Sequence, residues 1–563
     1  MTIIKKNQVL IFIFFLALTL RILNPTYSLP TLYVMGDEAP GYMGALYVLA
    51  KQNWLVRTAI YPPFGSYLQI PFLSLTFLLS LLFQKVHSLY ELKLLLLTQP
   101  GYFLFVPRLI SGFLGSLTVL VIYKICNILL PKSKSVPLIA SFLLAVAFNH
   151  GQVSHFGRPW APAMFFFSLS LFFTLKSVLT KSKERMHVLL AAFFAVVSYG
   201  FHQIGVFALW FYLLARVIDK RESVTGLFRN KNTRLGLLLV TIGFIVVYLM
   251  QMGNPSADWY PTSKSFPSDY PLVLKLAELI SSSSFVYNLK QLLLLEPVIF
   301  LGFLLCIKNQ TVWKTPLKSI FIFTLTTFLA IGMAFKQPRY LLPALIPMCI
   351  FAALAIIQAL KFFKNQFTKQ VGFTLILIFA SINLSFWNYL YIQKSSLTLA
   401  MEWIDQNIPP QSILLSAAGK FVPYTPAKEV LNIQQQKHPG FFAEAGKYLK
   451  TGEYPPNVRN IIYLDQLTDL NDRKQLPQFL NNFSPPASYL IDIYFDPKDK
   501  HFGFLNQNQY QKLVSFSSLR DKSIQIKIDN LLATVNEPVL PVLLLKSERT
   551  GPYIDIYSFT PEK

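Results

Sequence analysis

The chain has 563 residues, 53% of them hydrophobic and only 14% charged, with a mean hydropathy of +0.44. That is too apolar and too poor in charge for a soluble globular protein, and it marks an integral membrane protein. The net charge of +24 excludes no partner until it is located: residues 1–394 hold 34 Lys and Arg against 10 Asp and Glu, while residues 395–563 hold 17 of each.

The excess therefore lies in the apolar part, where short basic cytoplasmic loops put it. A nucleic-acid binder needs a basic soluble face, and the polar part is neutral. Cys126, Cys306 and Cys349 all fall within apolar runs, so they read as packing residues rather than a disulfide framework or thiolate metal site.

In chain order, Lys5 and Lys6 precede an apolar run over 9–23 that lacks a small-x-small cleavage site and reads as an uncleaved first helix. A loop over 24–107 carries "VMGDEAPGYM", with Asp37 and Glu38 adjacent, and then "YPPF" at 61–64, a rigid turn that returns the chain to the membrane surface. A span needs about 20 mainly apolar residues. Further spans are predicted at 109–130, 136–150, 159–179, 187–200, 203–217, 235–252, 292–307, 318–334, 340–360 and 371–391, which makes eleven.

Two more stretches, 66–83 and 92–106, are apolar enough to raise the count to thirteen. Pro71 and the Pro100-Gly101 pair favour helices lying at the outer interface instead. With the amino terminus inside, "PKSKS", "KSKER", "DKRESVTGLFRNKNTR", "KNQTVWKTPLK" and "KFFKNQFTKQ" collect in the cytoplasm. Asp37, Glu38 and Glu296 then face outside, as does the neutral part. From about residue 395 the pattern becomes a short helix, closed by Pro409 and Pro410, followed by short apolar runs: a strand after the prolines, then "NIIYLDQL", "SYLIDIYFD", "PVLPVLLLK" and "YIDIYSF". These predict a small extracytoplasmic α/β domain over 395–563 on a membrane domain over 1–394.

Adjacent acids in a loop are commonly just solvated. At a bilayer edge, an ionised carboxylate is also suited to act as general base toward a hydroxyl nucleophile. Arg108, Arg158 and Arg339 stand at the predicted outer ends of different spans, the last with Lys336 and Tyr340 in "KQPRYLLPALIPM". Each reads as a snorkelling interfacial anchor or as part of a convergent anion site, for which guanidinium geometry suits phosphate. His155 and His202 map to outer turns without HxxH or HExxH spacing, so they read as cavity or packing residues and no metal is assigned.

Taken together, the first-loop Asp-Glu, the Pro-Pro turn, "RLISGFLGSLTVLVIY", "FGRPWAPAMFFFSLSLFF" and "RYLLPALIPM" resemble, in order, the GT-C fold glycosyltransferases of family 39. That family includes dolichyl-phosphate-mannose protein mannosyltransferases and bacterial aminoarabinose transferases, and the resemblance covers the membrane half. It implies that Asp37 is the catalytic base, that Glu38 helps hold the acceptor, and that Arg108, Arg158, Arg339, Lys336 and Tyr340 lie near the phosphate of a polyprenyl-phosphate sugar. His155, His202, Trp160 and Tyr61 are further site-lining candidates. The implied reaction is inverting transfer of a hexosyl or mannosyl group to an acceptor hydroxyl, on a protein or glycolipid, at the outer face of the plasma membrane. No cofactor is called for; a divalent ion is compatible with the residues but not indicated by them.

The chain departs from the family in having Tyr61 where His often precedes Pro-Pro, and Trp160 where an acid often follows Arg-Pro. It also lacks a WWDYG-like segment, against an oligosaccharyltransferase. The alternative class is a transporter or flippase of polyprenyl-linked sugars, which would place polar breaks near mid-span. In the sequence the charges instead fall at span ends.

Overall fold

Long apolar runs between basic turns have one way to satisfy their backbone inside a bilayer, the α-helix, and the chain follows it. The computed structural model describes residues 3–29, 38–51, 61–98, 100–180, 183–252, 282–314, 316–335, 337–416, 424–426, 458–463, 489–500, 510–521 and 545–559. Asp37 and Lys336 lie outside these residues.

The helices are α1 (Ile3–Ile22), α2 (Ala39–Lys51), α3 (Phe64–Leu82), α4 (Leu89–Thr98), α5 (Phe105–Leu129), α6 (Val136–Val146), α7 (Phe148–His155), α8 (Trp160–Leu179), α9 (Glu184–Phe201), α10 (Phe207–Ile218), α11 (Val224–Arg229) and α12 (Lys231–Met252). They continue with α13 (Ser282–Leu295), α14 (Pro297–Leu305), α15 (Leu317–Ala334), α16 (Leu342–Ala359), α17 (Gln366–Ile392) and α18 (Ser396–Asn407). Among the described residues, eight helices are long and apolar enough to cross a membrane, or ten if each of two bent pairs is one span. α16, with the short turn before it, is the centre of the bundle, 89% of its apolar window being buried; the corresponding share for the peripheral α17 is 17%.

Two stretches take a form that the sequence did not specify. The stretch 66–83, assigned to the interface because of Pro71, is one continuous helix of crossing length that carries Pro71 inside it. The predicted span 292–307, with Glu296 facing outside, is instead a pair of helices, α13 and α14, bent by 110° at Glu296. Pro297 starts the second helix at a position where its missing N–H costs nothing. A second bend, of 53°, separates α6 from α7. The two breaks meet: the buried Glu296 accepts from the Asn149 backbone N–H at 2.8 Å, in the first turn of α7 where free amide groups favour an anion.

Beyond α18, among the described residues, six strands form one sheet: β1 (Ile413–Ser416), β2 (Thr425–Pro426), β3 (Val458–Tyr463), β4 (Tyr489–Tyr494), β5 (Tyr510–Phe516) and β6 (Tyr553–Phe559), in the order β2-β3-β1-β4-β6-β5. The first four in that order run parallel and β6 and β5 are antiparallel additions. The strands expected after Pro410 and in "NIIYLDQL", "SYLIDIYFD" and "YIDIYSF" are β1, β3, β4 and β6. Most of "PVLPVLLLK" lies outside the described residues.

Helix α18 packs on β5 and β6. Ser395 caps it by accepting from Thr398 N, and Ser396 N donates to Thr550 O at 2.8 Å just ahead of β6. The backbone at Gly551 has φ +117, and a Cβ there would collide with Ser396, so this junction requires glycine.

Candidate active site at the helix rim

Glu38 stands directly before α2 and is fully buried. Its Oε1 accepts from Arg108 Nε at 2.9 Å and from the Gly157 backbone N–H at 2.6 Å, and its Oε2 accepts from Arg108 Nη2 at 2.8 Å. The remaining terminal nitrogen, Arg108 Nη1, donates to Pro25 O at 3.0 Å and Tyr27 O at 2.7 Å. This bidentate pair binds four segments together: the exit of α1, the start of α2, the first turn of α5 and the α7–α8 turn. Gly157 is needed in that turn because a Cβ would lie 2.8 Å from Pro107 Cβ. Glu38 and Arg108, expected at the acceptor and at the phosphate, lie on each other, with both charges compensated.

A second group forms where α8 begins, α9 ends and α16 is approached. His202 closes α9 in extended backbone, and its Nδ1 accepts from Ile204 N at 3.1 Å, which leaves Nε2 as the ring's protonated nitrogen in the neutral form. The His202 ring lies 3.9 Å from the Trp160 ring and 5.4 Å from that of Tyr61. Tyr340 sets its edge against Trp160 at 4.8 Å and stacks on Phe335 at 4.5 Å. The Arg339 guanidinium carbon lies 5.4 Å from the Trp160 ring and 5.8 Å from that of Tyr340, so a cation is held over two π faces. Trp160, the departure from the family pattern, is thus fully buried as the centre of this cluster.

Between the two groups lies a small cleft whose lining includes Tyr61, Pro62, Ser66, Gln69, Gly157 and Arg158. Arg158 also stands 5.6 Å from the Phe156 ring. The cleft therefore adjoins the Glu38 anchor through Gly157, and the aromatic group through Tyr61. A cationic guanidinium, an amide and two hydroxyls on its walls suit a ligand carrying an anion and hydroxyl groups.

Of the remaining candidates, His155 is elsewhere, its ring 4.9 Å from Tyr391. Asp37 precedes the anchored Glu38 by one residue. Among the described residues, no group of three or more His, Cys, Asp or Glu is placed to hold a metal ion.

Several structurally important residues carried weak signals in the sequence. Arg21 is buried at the end of α1, donating to the carbonyls of Leu144 and Ala145 and contacting His150 Nδ1 at 3.0 Å; its signal was a lone charge in the first apolar run. Glu296 was a lone acid in "LLLLEPVIF". Tyr27 had no signal at all.

No family model and no curated protein sequence matches the chain. Among solved structures, it is similar to ArnT from Cupriavidus metallidurans bound to undecaprenyl phosphate, with 13% identity over 87% of this chain and 92% of that one and a TM-score of 0.47. It is also similar to the Archaeoglobus fulgidus oligosaccharyltransferase tethered to an acceptor peptide, with 12% identity over 99% and 89% and a TM-score of 0.43. At these values the likeness is one of general outline.

Proposed function

We propose that this protein transfers a glycosyl group from a polyprenyl-phosphate sugar to an acceptor hydroxyl, with inversion, at the outer face of the plasma membrane. The observation that supports this reading most is the anchoring of Glu38 to the cleft wall at Gly157, next to Arg158. Asp37 directly precedes Glu38 in the sequence.

In this mechanism the Asp37 carboxylate takes the proton from the acceptor hydroxyl. The freed oxygen attacks the anomeric carbon, the bond from that carbon to the phosphate oxygen breaks, and polyprenyl phosphate leaves with the electron pair. Arg158 and Arg339, with Tyr340 and Lys336 nearby in sequence, stabilise the charge growing on the leaving phosphate. Glu38 and Arg108 position the loop that carries the base, a role that replaces direct contact with acceptor and phosphate. Tyr61, Trp160 and His202 shape the sugar end of the cleft. The acceptor is a protein or glycolipid. The orientation has the amino terminus in the cytoplasm and the domain over 395–563 outside, and no metal enters the mechanism.

The test is incubation of purified protein with a panel of polyprenyl-phosphate monosaccharides, hexose and aminoarabinose forms included. The readouts are release of polyprenyl phosphate and the anomeric configuration of the product. Release with an inverted product is expected; a retained configuration rules out direct displacement. A second reading is favoured by one observation: the two bent helix pairs that meet at Glu296 and Asn149 are the kind of interior break a lipid-sugar transporter uses. Translocation in vesicles without release of polyprenyl phosphate, abolished by Glu296→Gln, would establish that reading instead.

A further inference from the structure

The turn that follows α1 is held in an unfavourable conformation by contacts from the far end of the chain. Asn24 and Ser28 have φ of +48 and +54, left-handed values that non-glycine residues adopt at a cost unless their surroundings fix them. Apart from Arg108, the described anchors that fix this turn from outside come from the carboxyl-terminal third. Asn24 Nδ2 donates to Tyr391 O at 2.9 Å, and Ser28 Oγ donates to Ser395 Oγ at 2.8 Å. The Tyr27 ring stacks on Tyr391 at 4.3 Å, and its hydroxyl hydrogen-bonds Thr550 Oγ1 at the entry to β6. The same turn supplies both carbonyls, Pro25 O and Tyr27 O, that receive Arg108 Nη1.

We infer that Tyr27 is a positioning residue through which the sheet domain sets the Glu38–Arg108 anchor, so that docking of the domain controls the geometry of the cleft. The relay runs from Thr550 to the Tyr27 hydroxyl, along the residue to its carbonyl, to Arg108, to Glu38, and to the Gly157 N–H on the cleft wall. Each step is a hydrogen bond or ion pair between buried groups, and a group that loses its partner there has no water to replace it. If the domain undocks, Tyr27 and Ser28 lose Thr550 and Ser395, the turn keeps only its Tyr391 contacts, and the carbonyls that orient Arg108 toward Glu38 are no longer held in place. The inference takes its catalytic consequence from the proposed function; the relay itself does not depend on it.

The experiment uses the full-length protein in lipid nanodiscs and compares Tyr27→Phe, Thr550→Val, the double variant and Thr550→Ser. The direct readout is hydrogen exchange at the Gly157 amide, whose acceptor is Glu38. Tyr27→Phe and Thr550→Val are each expected to speed that exchange at least fivefold, the double variant no more than either alone, and Thr550→Ser to behave as wild type. Faster exchange at the Ser396 amide with Gly157 unchanged would overturn the relay and leave Tyr27 as a domain-docking residue only. In the release assay, the account expects Tyr27→Phe to lower kcat severalfold with the donor KM unchanged; an unaltered kcat overturns the control of the cleft. If the wild type releases no polyprenyl phosphate from any donor, the proposed function falls, and exchange at Gly157 still decides the relay.

Discussion

Two buried carboxylates, one at the helix rim and one in the sheet domain, are satisfied in opposite ways. Glu38 has a single cation, Arg108, in bidentate contact, and one backbone amide, with neither side chain reaching solvent. Asp555, on β6, shares its charge among Lys512 Nζ at 2.8 Å, Lys500 Nζ at 3.5 Å, the hydroxyls of Tyr494 and Tyr557 at 2.9 and 3.1 Å, and Ser515 Oγ. Both lysines keep contact with solvent. The rim has concentrated its electrostatics in one rigid pair, which fixes geometry and fails abruptly. The sheet domain has spread them over five partners, which tolerates loss and responds to pH.

That contrast ranks the consequences of mutation. Glu38→Ala strands the Arg108 guanidinium in a dry site, and removing one member of a buried pair costs about 3–5 kcal/mol; thermal unfolding in detergent should show a correspondingly large drop. Arg108→Lys keeps the charge but loses the fork that meets both carboxylate oxygens. It should cost about 1.5–3 kcal/mol, the value of hydrogen bonds to charged groups, and impair turnover more than the mere loss of stability explains. If Arg108→Lys were as stable and active as wild type, the pair would not be the geometric device described here.

For Asp555 the effects are smaller and depend on pH. Burial alone would raise its carboxyl, but hydrogen bonds from Lys512 and Ser515 and the Lys512 charge outweigh that and hold it below the usual carboxylate range. A depressed folded-state value means that its contribution is complete above the unfolded value of about 4, and is lost as pH falls through the folded value. Sheet-domain stability should therefore decline on acidification below about pH 4, and Asp555→Asn should flatten that decline; an unchanged acid limb contradicts the assignment. The smallest effect belongs to Lys394 and Glu402, an exposed pair at 2.7 Å. Lys394→Gln is expected to change unfolding by under about 1 kcal/mol.

The comparison also explains what could be read in advance. Apolar run length and loop charge sufficed for the membrane class and for most helices, because burying backbone in lipid leaves only one local solution. The strands β3, β4 and β6 were visible as dense apolar runs, since their central residues are buried. β5 was not: "YQKLVSF" mixes polar and apolar residues on an edge strand, with a bulge between Lys512 and Val514. At the site, residue types and order pointed to Asp37, Glu38 and the arginines, but not to partnership. Glu38 meets Arg108 across 70 positions and Gly157 across 119, and only folding brings them together. Glu296 gave no sign of its partner for the same reason: Asn149 is 147 residues away.

The central claim is that the residue next to the anchored Glu38 performs proton transfer. Asp37→Asn keeps the side chain close to its size while removing the base, so the decisive measurement is the rate of polyprenyl-phosphate release by wild type and Asp37→Asn at saturating donor, with unfolding temperature as a control. A loss of at least about 10²-fold, the usual contribution of a general base, with unfolding unchanged, is the result this account predicts. Equal release by the two proteins would contradict it.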